Sequence, residues 1–149
     1  MNRRDALFLL LAVPAVGCVK EPATAPRVVV HKSESCGCCK LWVDHLKASG
    51  FDVQAMDVSS ADVRNVSKMA GLKDDDTSCH TAKVGNYVVE GHVPADDIKR
   101  MLKEKPAIAG LAAPGMPQGS PGMEQGSKEP YDVIAFKKDG TSTVYAKHK

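Results

Sequence analysis

Val28-Val29-Val30-His31 is a compact β-branched run ending in the polar turn Ser33-Glu34-Ser35, and it predicts a short buried strand. From Cys39 the spacing changes. Trp42, Val43 and Leu46 recur at three- and four-residue intervals until Gly50, which predicts a helix with glycine as its stop. Phe51 to Val58 returns to alternation and predicts a second strand, parallel to the first and joined to it by a right-handed crossover.

Ala61 to Ala70 is a weaker helical stretch ending at Gly71, and Lys73 to Ser78 is a polar loop. Thr81 to Val84 and Tyr87 to Glu90 flank Gly85-Asn86, a two-residue turn of the kind that closes hairpins. Ala95-Asp96-Asp97 offers capping carboxylates to a helix over Ile98 to Lys105, stopped by Pro106. Ala107 to Lys128, rich in Gly, Pro, Ala and Met and without a period, is expected to be a long loop. Tyr131 to Phe136 and Thr141 to Ala146, around Lys138-Asp139-Gly140, predict a final hairpin. The order β-α-β-α-β-β-α followed by a hairpin is that of a thioredoxin-like α/β domain: one mixed sheet flanked by helices, with a Gly/Pro/Met-rich loop.

The chain of 149 residues has material for one domain, 28–149, and the segments before it read differently. Residues 1–18 have the form of an export signal: Met1-Asn2-Arg3-Arg4 is positive, and Ala6 to Gly17 is apolar but too short to span a bilayer. Its end, Ala15-Val16-Gly17-Cys18, resembles a bacterial lipobox, which makes Cys18 the expected acylation site. Residues 19–27, with Pro22 and Pro26, read as a tether. A periplasmic or envelope location in a bacterium, membrane-tethered through the lipid alone, is the expectation. A net charge of +2 without a basic stripe, and only 5% aromatic residues, argue against nucleic acid as a partner.

The chemistry concentrates at Cys36-Gly37-Cys38-Cys39, a C-x-x-C dithiol with a third cysteine inside it. Adjacent Cys38 and Cys39 cannot easily pair with each other, so one sulfur is always left over. Three sulfurs in four residues make a poor staple for distant loops and a good ligand set. At a helix start, backbone N–H groups and the helix dipole favour thiolates, with Cys36 the exposed sulfur and Cys39 the inner one. Cys79 and His80 complete a soft sulfur and nitrogen cluster suited to Cu(I), mononuclear or multinuclear, or to Zn(II). Two alternatives carry other chemistry. One is a thiol-disulfide oxidoreductase in which Cys36 attacks and Cys39 resolves, with Cys38 and Cys79 as a second pair. The other is a closed zinc site of Cys36, Cys39, Cys79 and His80. Cys79-His80-Thr81 stands where thioredoxins carry the proline that docks substrate peptide, which counts against the oxidoreductase.

Further histidines and methionines are weaker candidates. His92 closes the fourth strand beside Pro94 and can approach the cluster, whereas His45, two helical turns beyond Cys38, reads as an exposed side chain or an outer-shell group. His31 and His148 have less claim. Met116 and Met123 lie in two echoing Pro-Gly-Met segments; thioethers suit Cu(I), but filling apolar gaps beneath the loop is the expected use.

Taken together, Cys36-Gly37-Cys38-Cys39 with Trp42 and His45, Cys79-His80-Thr81-Ala82, Val89-Glu90-Gly91-His92-Val93-Pro94, Pro114-Gly115-Met116-Pro117 and Gly119-Ser120-Pro121-Gly122-Met123-Glu124 resemble the CopG-type periplasmic copper-resistance proteins. The resemblance covers nearly all of the chain after the tether. It implies a thioredoxin-like fold that binds copper through Cys36, Cys38, Cys39 and Cys79 and handles copper in the bacterial envelope; a cycle between Cu(I) and Cu(II) is a further expectation of this reading. Other envelope copper-handling proteins would be its partners.

Overall fold

The computed structural model describes residues 25–149, so the expected signal over 1–18, its Cys18 and most of the tether lie outside the described residues. The elements are β1 (Arg27–Ser33), α1 (Gly37–Ala48), β2 (Asp52–Val58), α2 (Ser60–Met69), a 3-10 turn (Asp74–Asp76), β3 (His80–Val84), β4 (Tyr87–Gly91), α3 (Ala95–Glu104), β5 (Gly110–Ala113), β6 (Tyr131–Phe136) and β7 (Ser142–His148). They form a thioredoxin-like α/β domain around one seven-stranded mixed sheet, in the order β2-β1-β3-β4-β5-β6-β7.

The expected βαβ unit is present, with β1 and β2 parallel from Arg27–Asp52 to Ser33–Val58. β3 then pairs antiparallel with β1 and with β4, closing the hairpin at Gly85-Asn86. The segment expected to be loop throughout holds a strand. β5 lies parallel to β4 and antiparallel to β6, so it splices the C-terminal hairpin of β6 and β7 onto the sheet. Gly110-Leu111-Ala112-Ala113 has neither alternation nor β-branched residues, and it is drawn into the ladder because all four positions are buried. A second βαβ unit, β4-α3-β5, therefore sits beside the first.

The main core lies on the α1 and α3 face, where Trp42 and Leu46 of α1 and Ile98 and Met101 of α3 pack on Val28, Val30, Val84, Val89 and Leu111. Burying aliphatic and aromatic side chains of this size stabilises the fold by about 2 kcal/mol each. A smaller cluster of Leu72, Ala112 and Phe136 lies apart from it. α2 contributes Val63 and Ser67 as its buried residues. Helix boundaries shift modestly from expectation, with one consequence: α1 begins at Gly37, which makes Cys36 its N-cap. α3 begins at Ala95 rather than Ile98, so Asp96 and Asp97 fall inside its first turn, and no side chain of its own cap position, Pro94, caps it. β2 and β7 are the edges of the sheet.

Candidate metal centre

Cys36 leaves the end of β1 in an extended conformation, and its Sγ accepts the Cys39 backbone N–H at 3.3 Å. That cap orients the first turn of α1 so that Cys38 and Cys39 lie beside it. Cys36 and Cys39 are joined by a disulfide; Cys38 and Cys79 are free. Cys39 is buried and Cys36 half-buried, the inner and outer roles expected of a dithiol at a helix start.

Cys79 arrives from a separate part of the chain. The loop after α2 delivers it immediately before β3, 3.0 Å from Cys39 Sγ and 3.2 Å from Cys36 Sγ. Cys38 Sγ lies 3.4 Å from Cys36 Sγ. The four sulfurs all fall within 4.8 Å of one another. Buried Glu90 of β4 holds the delivering loop: its carboxylate accepts the Ser78 backbone N–H and, at 2.8 Å, the Ser67 hydroxyl of α2. Burial pushes the Glu90 carboxyl up, against the pull of these hydrogen bonds. Burial and then the neighbouring Cys38 push the Cys79 thiol up to about 12, so in this oxidised form Cys79 is a protonated thiol at neutral pH.

Two histidines lie beneath the sulfurs. His80 is fully buried, its ring 4.5 Å from Trp42 and 4.9 Å from His92. Its Nε2 donates to the Gly91 carbonyl at 3.0 Å, which leaves the Nδ1 lone pair 4.0 Å from Cys79 Sγ. His92 is the mirror case. Its Nδ1 donates to the Pro121 carbonyl at 2.7 Å, and its Nε2 is buried without a partner. Cys79, His80 and His92 each offer a ligand atom within 4.8 Å of the others. Burial, and for His80 the neighbouring His92, keeps both rings neutral, with His80 lowered to about 3. A neutral imidazole with one N–H fixed on a carbonyl and its other lone pair free is the form in which histidine ligates a metal.

The Pro/Gly/Met loop closes over this site. Gly122 has φ +86, and a Cβ there would stand 2.8 Å from the Cys38 carbonyl and 2.9 Å from the Trp42 backbone nitrogen, so the loop lies directly on the first turns of α1. Met116 corrects its expected role. It is 40% exposed rather than packed beneath the loop, and its Sδ is 3.6 Å from Cys79 Sγ. Met123 is half-buried and serves through its backbone, its carbonyl accepting the Gly119 N–H at 2.8 Å. His45 also differs from expectation. It is half-buried, and its Nε2 accepts the Ala95 backbone N–H at 3.1 Å, so it supplies the cap that Pro94 lacks on α3. His31 stands in β1 opposite Met56 and Thr81, and His148 pairs with Asp97.

This geometry bears on exchange chemistry. Thiol attack on a disulfide needs the incoming sulfur in line with the S–S bond. Cys79 is almost equidistant from the two bonded sulfurs and thus sits abeam of the bond, a position suited to sharing a bridging ligand set.

The chain is similar to two solved structures of a copper resistance protein, CopG. One, form 2, is 41% identical with a TM-score of 0.76, over 84% of this chain and 99% of that one. Form 1 is 40% identical, also with a TM-score of 0.76, over 83% and 98%. The chain belongs to the CopG copper-resistance protein family. A family model described as a protein of unknown function, DUF411, matches residues 77–123, from the Cys79 loop through the Pro-Gly-Met segments. No curated protein matches the chain. Membership accounts for the separate motifs at once, because the stretches that carry them fold onto one site.

Proposed function

We propose that this chain binds Cu(I) as cargo through Cys36, Cys38, Cys39 and Cys79, with Met116, His80 and His92 as further ligands, and serves copper resistance. The convergence of five sulfur atoms with two neutral imidazoles carries the reading. Thiolate and thioether are soft donors that prefer Cu(I), and four cysteine sulfurs this close can bridge more than one monovalent ion. Reduction of the Cys36–Cys39 disulfide frees the two sulfurs it ties up. The imidazole nitrogens suit Cu(II) as well, so a cycle between Cu(I) and Cu(II) fits the same ligand set. The name of the solved relatives, a copper resistance protein, supports copper over zinc. On this reading the chain is exported, anchored through Cys18, and exchanges copper with other envelope proteins.

Titration of the reduced protein with Cu(I), against a chromophoric Cu(I) chelator and in the presence of Zn(II), tests this. More than one Cu(I) per chain with zinc displaced is the expected result. Zinc retained under excess copper would replace the reading with a tetrahedral zinc site.

A further inference from the structure

A cleft of about 390 Å³ opens beside the sulfurs, in the size range of small-molecule sites. Cys79 and Met116 bring sulfur to its lining, and Ser60, Thr77 and Ser78 give it polar walls. Arg64 of α2 lines it too, and among the described residues no carboxylate pairs with that guanidinium. The cleft thus combines soft sulfur donors with a cationic side chain. Solvent reaches the sulfurs that line it, since Met116 is 40% exposed and Cys79 half-buried, whereas Cys39 is buried.

We propose that this cleft receives Cu(I) as its complex with a small thiol bearing a carboxylate, the carboxylate resting on Arg64 while the copper meets Cys79. The inference rests on the copper reading above. Ligand exchange follows without any change of oxidation state: the bond from copper to the donor's sulfur breaks, the bond to Cys79 Sγ forms, and the Cys79 thiol proton leaves on the departing thiol. A guanidinium recognises a carboxylate through paired N–H donors, which a lysine elsewhere on the surface does not reproduce.

The test follows copper transfer to the reduced full chain by stopped-flow absorption, from Cu(I)–glutathione, whose thiol carries carboxylates, and from Cu(I)–mercaptoethanol, whose thiol carries none. Arg64→Glu is expected to slow transfer from the glutathione complex by about five- to ten-fold, the size of one partly exposed ionic contact reversed, with mercaptoethanol transfer unchanged. Arg64→Gln should give a smaller loss of the same kind, and Ser60→Phe, which fills the cleft, should slow both donors. Lys47→Glu, outside the cleft, should slow neither. Equal slowing of both donors by Arg64→Glu, no slowing by it, no effect of Ser60→Phe, or an equal effect of Lys47→Glu would overturn the proposal. The final copper stoichiometry separates the two readings: wild-type protein that takes no copper from either donor refutes copper binding itself, whereas full loading without donor discrimination refutes only the cleft.

Discussion

The units β1-α1-β2 and β4-α3-β5 share a plan: a strand, a turn, a helix, and a return strand parallel to the first. Because β1 and β4 each pair antiparallel with β3, they run the same way, and both helices begin at the same edge of the sheet. What differs is the group that closes each helix start. α1 is capped by the sulfur of Cys36, within its own chain segment. α3 is capped from outside, by His45 of α1, fifty residues away. Thus one N-terminus is given over to reactive sulfur, and the other is fixed by an imidazole that ties the two helices together. Reactive sulfur closes the helix start of the first unit, and the helix start of the second is held by an imidazole from the first.

The largest effect should come from the point where a later segment enters the first unit. Cys79→Ser keeps the volume but removes a sulfur that lies 3.0 to 3.2 Å from two others, and should weaken Cu(I) binding by about a hundred-fold. Sulfur-to-copper absorption should fall with it. The melting of the metal-free protein should hardly move. Wild-type affinity in this variant would place Cys79 outside the ligand set.

Acid should act next, through the imidazoles. His45, His80 and His92 are all held below the ordinary 6.5 by burial, so the unfolded chain takes up protons more readily than the folded metal-free protein does. Stability is therefore full above about pH 6.5 and falls as pH drops. His80, lowered to about 3, keeps the loss going furthest and alone contributes about 2 kcal/mol between pH 6.5 and 5. Glu90 has the opposite sign: its raised carboxyl is relieved by acid and offsets part of the loss near its own titration. Melting temperatures measured from pH 7 to 5 check this, and a flat profile would mean that the histidines are solvated.

The two caps supply the smallest and most direct comparison. His45→Ala leaves the Ala95 N–H without its acceptor and should cost about 1 kcal/mol, with copper binding unaltered. Cys36→Ser in the reduced metal-free protein should change stability by less than about 0.5 kcal/mol, because a serine hydroxyl caps equally well, although copper binding suffers. Calorimetry of both variants decides it. If His45→Ala also lowers copper affinity strongly, the division between reactive and rigid helix starts fails.

Most of the first unit was legible in the sequence because its signals are local. The β-branched run of β1, the helical spacing of Trp42, Val43 and Leu46, and the sulfur cluster lie within twenty residues of one another. β5 was not legible: Gly110-Leu111-Ala112-Ala113 carries no period, and only pairing with β4 and β6 makes it a strand. His45 read as a surface side chain because nothing near it in sequence announces Ala95. The same holds for Met116, whose distance to Cys79 is set by how an aperiodic loop lies on the fold. Residue types named the chemistry; long-range placement decided which residues touch it.

The edges of the sheet have a consequence for how copies of this protein meet. Along β2 most positions are exposed, and Asp52, Gln54 and Asp57 punctuate the strand. β7 lies against a register shift at Val133/Ile134 and carries Lys147. Charge at one rim and irregularity at the other discourage a second chain from adding a strand there. Under the proposed function the reduced protein presents several thiols at once, and prolonged side-by-side contact would invite sulfur cross-links between molecules. Rims that resist lateral pairing shorten such encounters, so solubility and thiol integrity depend on residues far from any sulfur.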